Sequence, residues 1–307
     1  MKFLSMRPIL LAGSLLLLAL TSVNALVVGT FNIRYDNKGD IVRGDGWEQR
    51  APVVAGLIRF HNFDVLGTQE GLVHQLQKLR ELMPEYAYIG RGRDDGKEHG
   101  EYAAIFFKKD KLRLRESGDF WLSATPEVAG SKGWDAELPR ICTWARFEPA
   151  QGGRPFVVFN VHFDHRGVKA RLESARLILA KVRKIAGNQP VILTGDFNVD
   201  QTSESYRGLV ASGELTDAFE TASIRYALNG TANAFNPQGK TESRIDHVFH
   251  SRHFKALRYG VLTDTYRAPL PAPKGDTKSG NFPHEVRFQQ FQAHLPSDHF
   301  PVLVELE

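Results

Sequence analysis

The chain has 307 residues, of which 42% are hydrophobic, 24% charged and 10% aromatic. That composition excludes a disordered tail, a collagen-like repeat and a disulfide-dense miniprotein, and the length allows a large buried core. The formal charge of +4 is mildly basic and no argument for nucleic-acid binding by itself.

In chain order the first feature is an address. Lys2 and Arg7 give a positive start, Ile9 to Leu20 is a short apolar run, and Thr21-Ser22-Val23-Asn24-Ala25 offers a small-residue cleavage site. This is the secretory pattern, and the run is shorter than the roughly 20 residues that span a bilayer. Residues 1–25 are therefore expected to be a signal peptide, with no stable membrane span, and residues 26–307, which no repeat or linker divides, a single domain. Cys142 is the only cysteine, so no intramolecular disulfide forms; it reads as a small core residue. One cysteine suits a bacterial periplasmic or secreted protein.

Leu26–Ile33 is an apolar strand candidate. Trp47–Phe60 reads as a helix with Pro52 near its first turn and Val53, Leu57 and Phe60 on one face. Asp64–Glu70 is a short strand, and Leu72–Met83 a helix stopped by Pro84. Tyr102–Phe107, Arg113–Phe120, Thr143–Phe147 and Arg154–Asp164 read as strands. Val168–Ala186 is the clearest helix, with Leu172, Ala175, Leu179, Val182 and Ile185 on one face and Gly187 to cap it. Val191–Thr194, Ile245–Phe249, Leu257–Leu262 and Val302–Leu306 complete the strands. Residues 263–297, rich in Pro and Gly, read as a long loop. Such a mixture wants central sheets with helices outside. Trp134 and Trp144 are assigned to packing, and the Lys108–Arg115 charge run to a solvated hairpin.

Six strand ends run into polar residues: Asn32, Gln69-Glu70, Asn160-Val161-His162, Asp196-Phe197-Asn198, Asp246-His247 and Ser297-Asp298-His299. One such end is usually a turn former; six on one chain ask for another reason. Asn, Glu and Asp oxygens are hard ligands that suit Mg²⁺ or Mn²⁺ better than zinc. Histidines beside carboxylates offer acid–base chemistry and charge stabilisation. The inventory points to metal-assisted hydrolysis of a phosphate ester by water.

Thr30-Phe31-Asn32-Ile33-Arg34, Gln69-Glu70, Asn160-Val161-His162, Gly195-Asp196-Phe197-Asn198, Arg244-Ile245-Asp246-His247 and Ser297-Asp298-His299 occur in order. Together they resemble the endonuclease/exonuclease/phosphatase superfamily, which includes pancreatic-type deoxyribonucleases, abasic-site endonucleases, bacterial sphingomyelinases and inositol polyphosphate 5-phosphatases. Gly118-Asp119-Phe120-Trp121-Leu122-Ser123 and Pro139-Arg140-Ile141-Cys142-Thr143-Trp144 resemble an exported bacterial branch of it. The resemblance implies an α/β fold: a four-layer sandwich of two packed mixed or antiparallel β-sheets flanked by helices, deoxyribonuclease-like.

It also implies roles. Glu70 is the principal metal ligand, with Asn32 beside it and Asp298 contributing. Asp196 orients or deprotonates the attacking water, and Asn198 binds the scissile phosphate or the metal shell. Asp246 and His299 form an orienting pair whose imidazole meets the phosphate. His162 stabilises the transition state or protonates the leaving group. Arg140 and Arg166 are phosphate clamps or salt-bridged arginines, and Glu101 or Tyr102 supplies a substrate-side polar group. His74, His99, His165, His247, His250 and His253 are assigned to surface or packing. The preferred function is an exported phosphodiesterase or nuclease dependent on Mg²⁺ or Mn²⁺. The alternatives are a phosphomonoesterase on a sugar or inositol phosphate, a lipid phosphodiesterase, and a non-catalytic binding protein on the same fold. The Phe282, Phe288 and Phe291 region is too diluted by charge to read as a lipid-binding patch.

Overall fold

The structure, a computed structural model, describes residues 25–226, 229–270, 281, 283, 284, 286 and 290–307. The expected signal segment up to Asn24, and Phe282 and Phe288, lie outside the described residues.

The strands in chain order are β1 (Leu26–Asn32), β2 (Val65–Gln69), β3 (Tyr86–Ile89), β4 (Ala104–Lys108), β5 (Leu112–Trp121), β6 (Ile141–Pro149), β7 (Phe156–His162) and β8 (Val191–Asp196). They continue as β9 (Thr216–Asp217), β10 (Ile224–Tyr226), β11 (Asp246–His250), β12 (Ala256–Val261), β13 (Tyr266–Pro269), β14 (Phe291–His294) and β15 (Val302–Leu306). The helices are α1 (Lys38–Arg43), α2 (Trp47–Phe60), α3 (Val73–Leu82), α4 (Val168–Ala186), α5 (Glu204–Ala211) and α6 (Ala218–Thr221). One sheet runs β10-β12-β15-β1-β2-β4-β3 and the other β5-β6-β7-β8-β11-β9. The residues expected to form only a long loop instead begin and end in the two-stranded ribbon β13–β14.

Period-two alternation builds the layers. Along β7, Phe156 and Val158 face the core between the sheets, while Val157, Phe159 and Val161 pack outward under α4 and α5. Along β1 and β2, Val28 and Val65 face the same inter-sheet core, while Phe31 and Leu66 pack outward under α2 and α3. Each fully buried side chain of this size contributes about 1.5–3 kcal/mol. The result is the expected helix–sheet–sheet–helix sandwich. α4 spans the expected residues, and Gly187 ends it at φ +56°.

Each sheet holds a central parallel pair joined by a helical crossover, β1 with β2 and β7 with β8, and β10 with β12 at the edge of the larger sheet is parallel too. Their carboxyl ends lie at one end of the sandwich, where ligand sites of such folds form. Between the apolar core and that end lies a buried polar layer. Asn160 Nδ2 donates to the Thr68 and Ala104 carbonyls of the other sheet, both at 2.9 Å. Asn160 Oδ1 accepts from Gln69 Nε2 at 2.7 Å and Thr194 Oγ1 at 3.0 Å. Gly67 makes this approach possible, because a Cβ there would stand 2.3 Å from both Asn160 Oδ1 and Thr194 Oγ1.

Candidate active site

The inward phase of each strand carries into the site. Val28 and Thr30 lead to Asn32, Val158 and Asn160 to His162, and Ile192 and Thr194 to Asp196. The register sets His162 beside Asp196 on one flank, and Asp246, at the start of antiparallel β11, beside it on the other. A cavity of about 370 Å³ opens here, lined by Arg34, Tyr35, Glu70, Glu101, Leu138, Arg140, His162, His165, Asp196, Asn198, Asp298 and His299. Arg34, Glu70 and Asn198 all adopt left-handed backbone, with φ of 58°, 65° and 50°. Such conformations cost on the order of 1–3 kcal/mol each and concentrate at functional sites.

Asn32 braces the acids. Its Nδ2 donates to Glu70 Oε1 at 3.0 Å and to Asp196 Oδ2 at 2.9 Å, and its Oδ1 accepts the Arg34 N–H at 3.0 Å. Asp196 Oδ1 accepts the Asn198 N–H at 2.8 Å. Burial, reinforced by Asp246, raises the Asp196 carboxyl above the ordinary carboxylate range. Burial and the neighbouring Glu70 likewise raise Asp298, against the pull of His299. His299 Nδ1 donates to Asp246 Oδ2 at 2.8 Å, and its Nε2 lies 3.9 Å from Asp196 Oδ2. Burial alone would discharge His299, but Asp246 and Asp196 outweigh it and hold the imidazole protonated well above its ordinary range.

His162 has a different setting. Arg140 Nη1 donates to its Nε2 at 3.0 Å, so Nε2 is an acceptor and Nδ1 carries the ring proton, 3.5 Å from Glu101 Oε2. Burial and the cation of Arg140 keep this ring neutral. His162 therefore has no proton to give through Nε2 in this arrangement. Arg93 holds Glu101 in a two-bond pair at 2.6 and 2.8 Å. Burial nevertheless raises the Glu101 carboxyl, against the pull of Arg93.

Of the expected site residues, the structure brings Glu70, Arg140, His162, Asp196, Asn198, Asp298 and His299 to the cavity wall, with Asn32 and Asp246 directly behind. It does not bring Tyr102 or Arg166 there. Tyr102 is 5% exposed, packs in the core under α2 and α3, and donates its hydroxyl to the Lys97 carbonyl. Glu101 takes the cavity position instead. The phase of β4 contained that signal: Ile105 and Phe107 face inward, so counting back by two reaches Glu101, not Tyr102. Arg166 is exposed and its Nη1 faces Glu137 at 3.9 Å. Four further wall residues, Arg34, Tyr35, Leu138 and His165, had no such role in the sequence reading. Arg34 Nη1 lies 3.4 Å from Asp298 Oδ2 and 3.9 Å from Glu70 Oε2, and His165, assigned to surface or packing, lines the cavity.

The donor set fits a divalent cation. Glu70 and Asp196 each offer a carboxylate oxygen within 4.8 Å of the other and of a His162 ring nitrogen, whereas His299, protonated against Asp246, offers a positive charge and no ligand atom. Carboxylates crowded together in a buried site, as Asp196 and Asp298 are beside their acidic neighbours, are stabilised by a shared cation. A second recess of about 280 Å³, between α4 and α5, is lined by Leu172, Ala175 and Leu179 with Arg176, Glu204 and Arg207, and lies apart from this chemistry. Among the described residues no helix is long and apolar enough to cross a membrane.

Residues 29–299 match the endonuclease/exonuclease/phosphatase family. A family protein from Bacteroides thetaiotaomicron of known structure is 51% identical with a TM-score of 0.84, covering 92% of this chain and 97% of that one. The mannosyl-6-phosphatase Bt3783 of Bacteroides thetaiotaomicron VPI-5482 is also 51% identical, with a TM-score of 0.83 over 92% of this chain and 99% of that one. Human Nocturnin is 23% identical over 257 residues, 78% of this chain and 56% of that protein. The chain spans 41% to 60% of the length of the first curated relatives it matches. The ordered motifs, the paired sheets and the acidic cavity at their common end agree with these matches, and the chain belongs to the endonuclease/exonuclease/phosphatase family, a family of phosphoric ester hydrolases.

Proposed function

We propose that this chain is a phosphomonoesterase that removes the phosphate from a sugar phosphate, such as a hexose 6-phosphate. The observation that carries the choice is the 51% identity to a mannosyl-6-phosphatase along nearly the whole of both chains. The cavity supports it, since about 370 Å³ suits a small ligand. The sequence reading placed diester cleavage first, although its motifs are shared by both activities; the likeness to a monoesterase reverses that order.

Glu70 and Asp298, with Asn32 beside them, would hold Mg²⁺ or Mn²⁺, which supplies positive charge to polarise the phosphoryl oxygens. Asp196 is the base: its raised carboxyl accepts the proton of the attacking water, and Asn32 and Asn198 fix its two oxygens. His299, kept cationic by Asp246, offers Nε2–H to a phosphoryl oxygen. Arg140 adds a permanent cation on the same wall. We further read residues 1–25 as an export signal, on the strength of Lys2, Arg7 and the short apolar run. An amino-terminal sequence of the mature protein starting at Leu26 is expected.

The test uses metal-stripped protein reloaded with Mg²⁺ or Mn²⁺, offered mannose 6-phosphate, a simple phosphodiester and DNA, with Asp196→Ala as the blank. Faster release of phosphate from the monoester is expected. Turnover of diesters alone would return the assignment to a nuclease or phosphodiesterase.

A further inference from the structure

One part of the cavity wall is built for something other than phosphate. Its organiser is Asp164, 1% exposed. Asp164 Oδ2 accepts from Arg140 Nε at 3.2 Å and from the Leu138 N–H at 3.3 Å. Its Oδ1 accepts the Arg166 and Gly167 N–H groups at 3.0 and 2.7 Å. Burial opposes ionisation here, but these donors outweigh it and hold the carboxyl well below the usual range. One fixed carboxylate thus locks together two segments, 138–140 and 164–167, which carry Leu138 and His165 to the cavity.

Arg140 Nη2 donates to His165 Nδ1 at 2.9 Å. A guanidinium can only donate, so Nδ1 accepts and the ring proton sits on Nε2. Among the described residues no protein group accepts a hydrogen bond from that Nε2–H. The His165 side chain is 41% exposed, and both it and Leu138, 38% exposed, line the cavity. Tyr35 lines it as well, held by the Arg34 guanidinium at 4.7 Å from its ring centre. A neutral donor, an aliphatic side chain and an aromatic ring match the alternating polar and apolar faces of a sugar ring. They match a polyanion poorly. Burial and Arg140 both push His165 toward its neutral form, which agrees with this chemistry.

We propose that His165, through Nε2–H and together with Leu138 and Tyr35, forms the subsite for the alcohol part of the substrate and donates a hydrogen bond to a hydroxyl of a hexose phosphate. The inference rests on the sugar-phosphatase reading above and adds the residues that select the sugar. His165 is a specificity-determining residue here, and the chemistry at phosphorus stays with the acids and His299.

The experiment compares kcat/KM for mannose 6-phosphate with kcat/KM for ethyl phosphate, a monoester without a sugar ring, in the wild-type chain, His165→Ala and His165→Gln. One hydrogen bond to a neutral group corresponds to about a 3- to 10-fold fall in the ratio of the two values in His165→Ala. His165→Gln keeps an N–H donor and is expected to recover part of that ratio. An equal loss on both substrates, or no loss, would overturn the subsite, as would a ratio that His165→Gln leaves as low as His165→Ala. A wild-type chain that cleaves ethyl phosphate as well as mannose 6-phosphate would also overturn it. Absence of all monoester turnover would instead overturn the function reading on which the subsite stands.

Discussion

Asp246 Oδ2 lies 2.8 Å from His299 Nδ1, across 53 residues of chain, and this pair sets the charge state of the site. Asp246 is fully buried on the first residue of β11, and His299 lies just before β15 in the opposite sheet. The imidazole is therefore pinned where the two sheets meet, with Nδ1 committed and Nε2 turned toward Asp196.

Asp246→Asn keeps the shape of this contact and removes its charge. His299 then loses the main partner that holds it protonated. Activity that needs the imidazolium is lost as pH rises through its pKa, so the alkaline limb of the pH–rate profile moves to lower pH. A fall in kcat of about 10- to 1,000-fold is expected at neutral pH. A pH series of wild type and variant reads both effects, and an unmoved alkaline limb would detach His299 from that limb.

Asp196→Asn removes the base and keeps its size, but its amide turns an N–H₂ toward one of the two donors that Asp196 accepts from, Asn32 Nδ2 or the Asn198 N–H. The expected loss in kcat is about 10²- to 10⁴-fold with the fold retained, and one lost hydrogen bond lowers stability by about 1 kcal/mol. Because burial and Asp246 raise this carboxyl, wild-type activity should fall with acid at a pH above the usual Asp value of about 3.9. Stopped assays between pH 4 and 7 would reveal a limb in that window.

Metal removal is expected to abolish turnover, and added Mg²⁺ or Mn²⁺ to restore it. Glu70→Gln weakens the hold on the cation, so more metal is required for half-maximal activity. Calorimetric titration with Mn²⁺ reads the same change without substrate. Equal Mn²⁺ affinity in wild type and Glu70→Gln would remove Glu70 from the ligand set.

Gly67→Ala tests the contact between the sheets. The added Cβ meets Asn160 Oδ1 and Thr194 Oγ1 at 2.3 Å, so the buried polar layer must separate. A loss of about 1–3 kcal/mol is expected in urea unfolding, with lower activity because β2 ends at Gln69 and leads directly into Glu70. Wild-type stability in this variant would show that the sheets separate freely here.

Tyr102→Phe separates the two neighbours that the sequence offered as a substrate-side group. Its hydroxyl meets only the Lys97 carbonyl, so the variant should keep kcat/KM within about twofold and lose at most about 1 kcal/mol of stability. Glu101→Gln, beside His162 in the cavity, should lower activity clearly. The reverse ranking would place Tyr102 at the substrate.

The sequence by itself determined the layers, the long α4, the family, and most of the catalytic inventory. Strand alternation and helical periodicity are local properties, and the motif residues are fixed in type and order along the chain. It also held more than was read from it, since the phase of Ile105 and Phe107 already pointed inward to Glu101. Only the tertiary structure decided which side chains meet. Asn32 between Glu70 and Asp196 joins the two sheets, while Arg34 against Asp298, and Arg140 shared by His162, His165 and Asp164, each join distant segments at the end of one sheet. The ribbon β13–β14 was equally hidden, because residues 269 and 291 pair across an intervening segment of many residues. Period and propensity specify the face a residue takes on its own strand. The partner across the interface is set by sheet register, crossover connections and the close approach that Gly67 permits, and these exist only once the two sheets are packed.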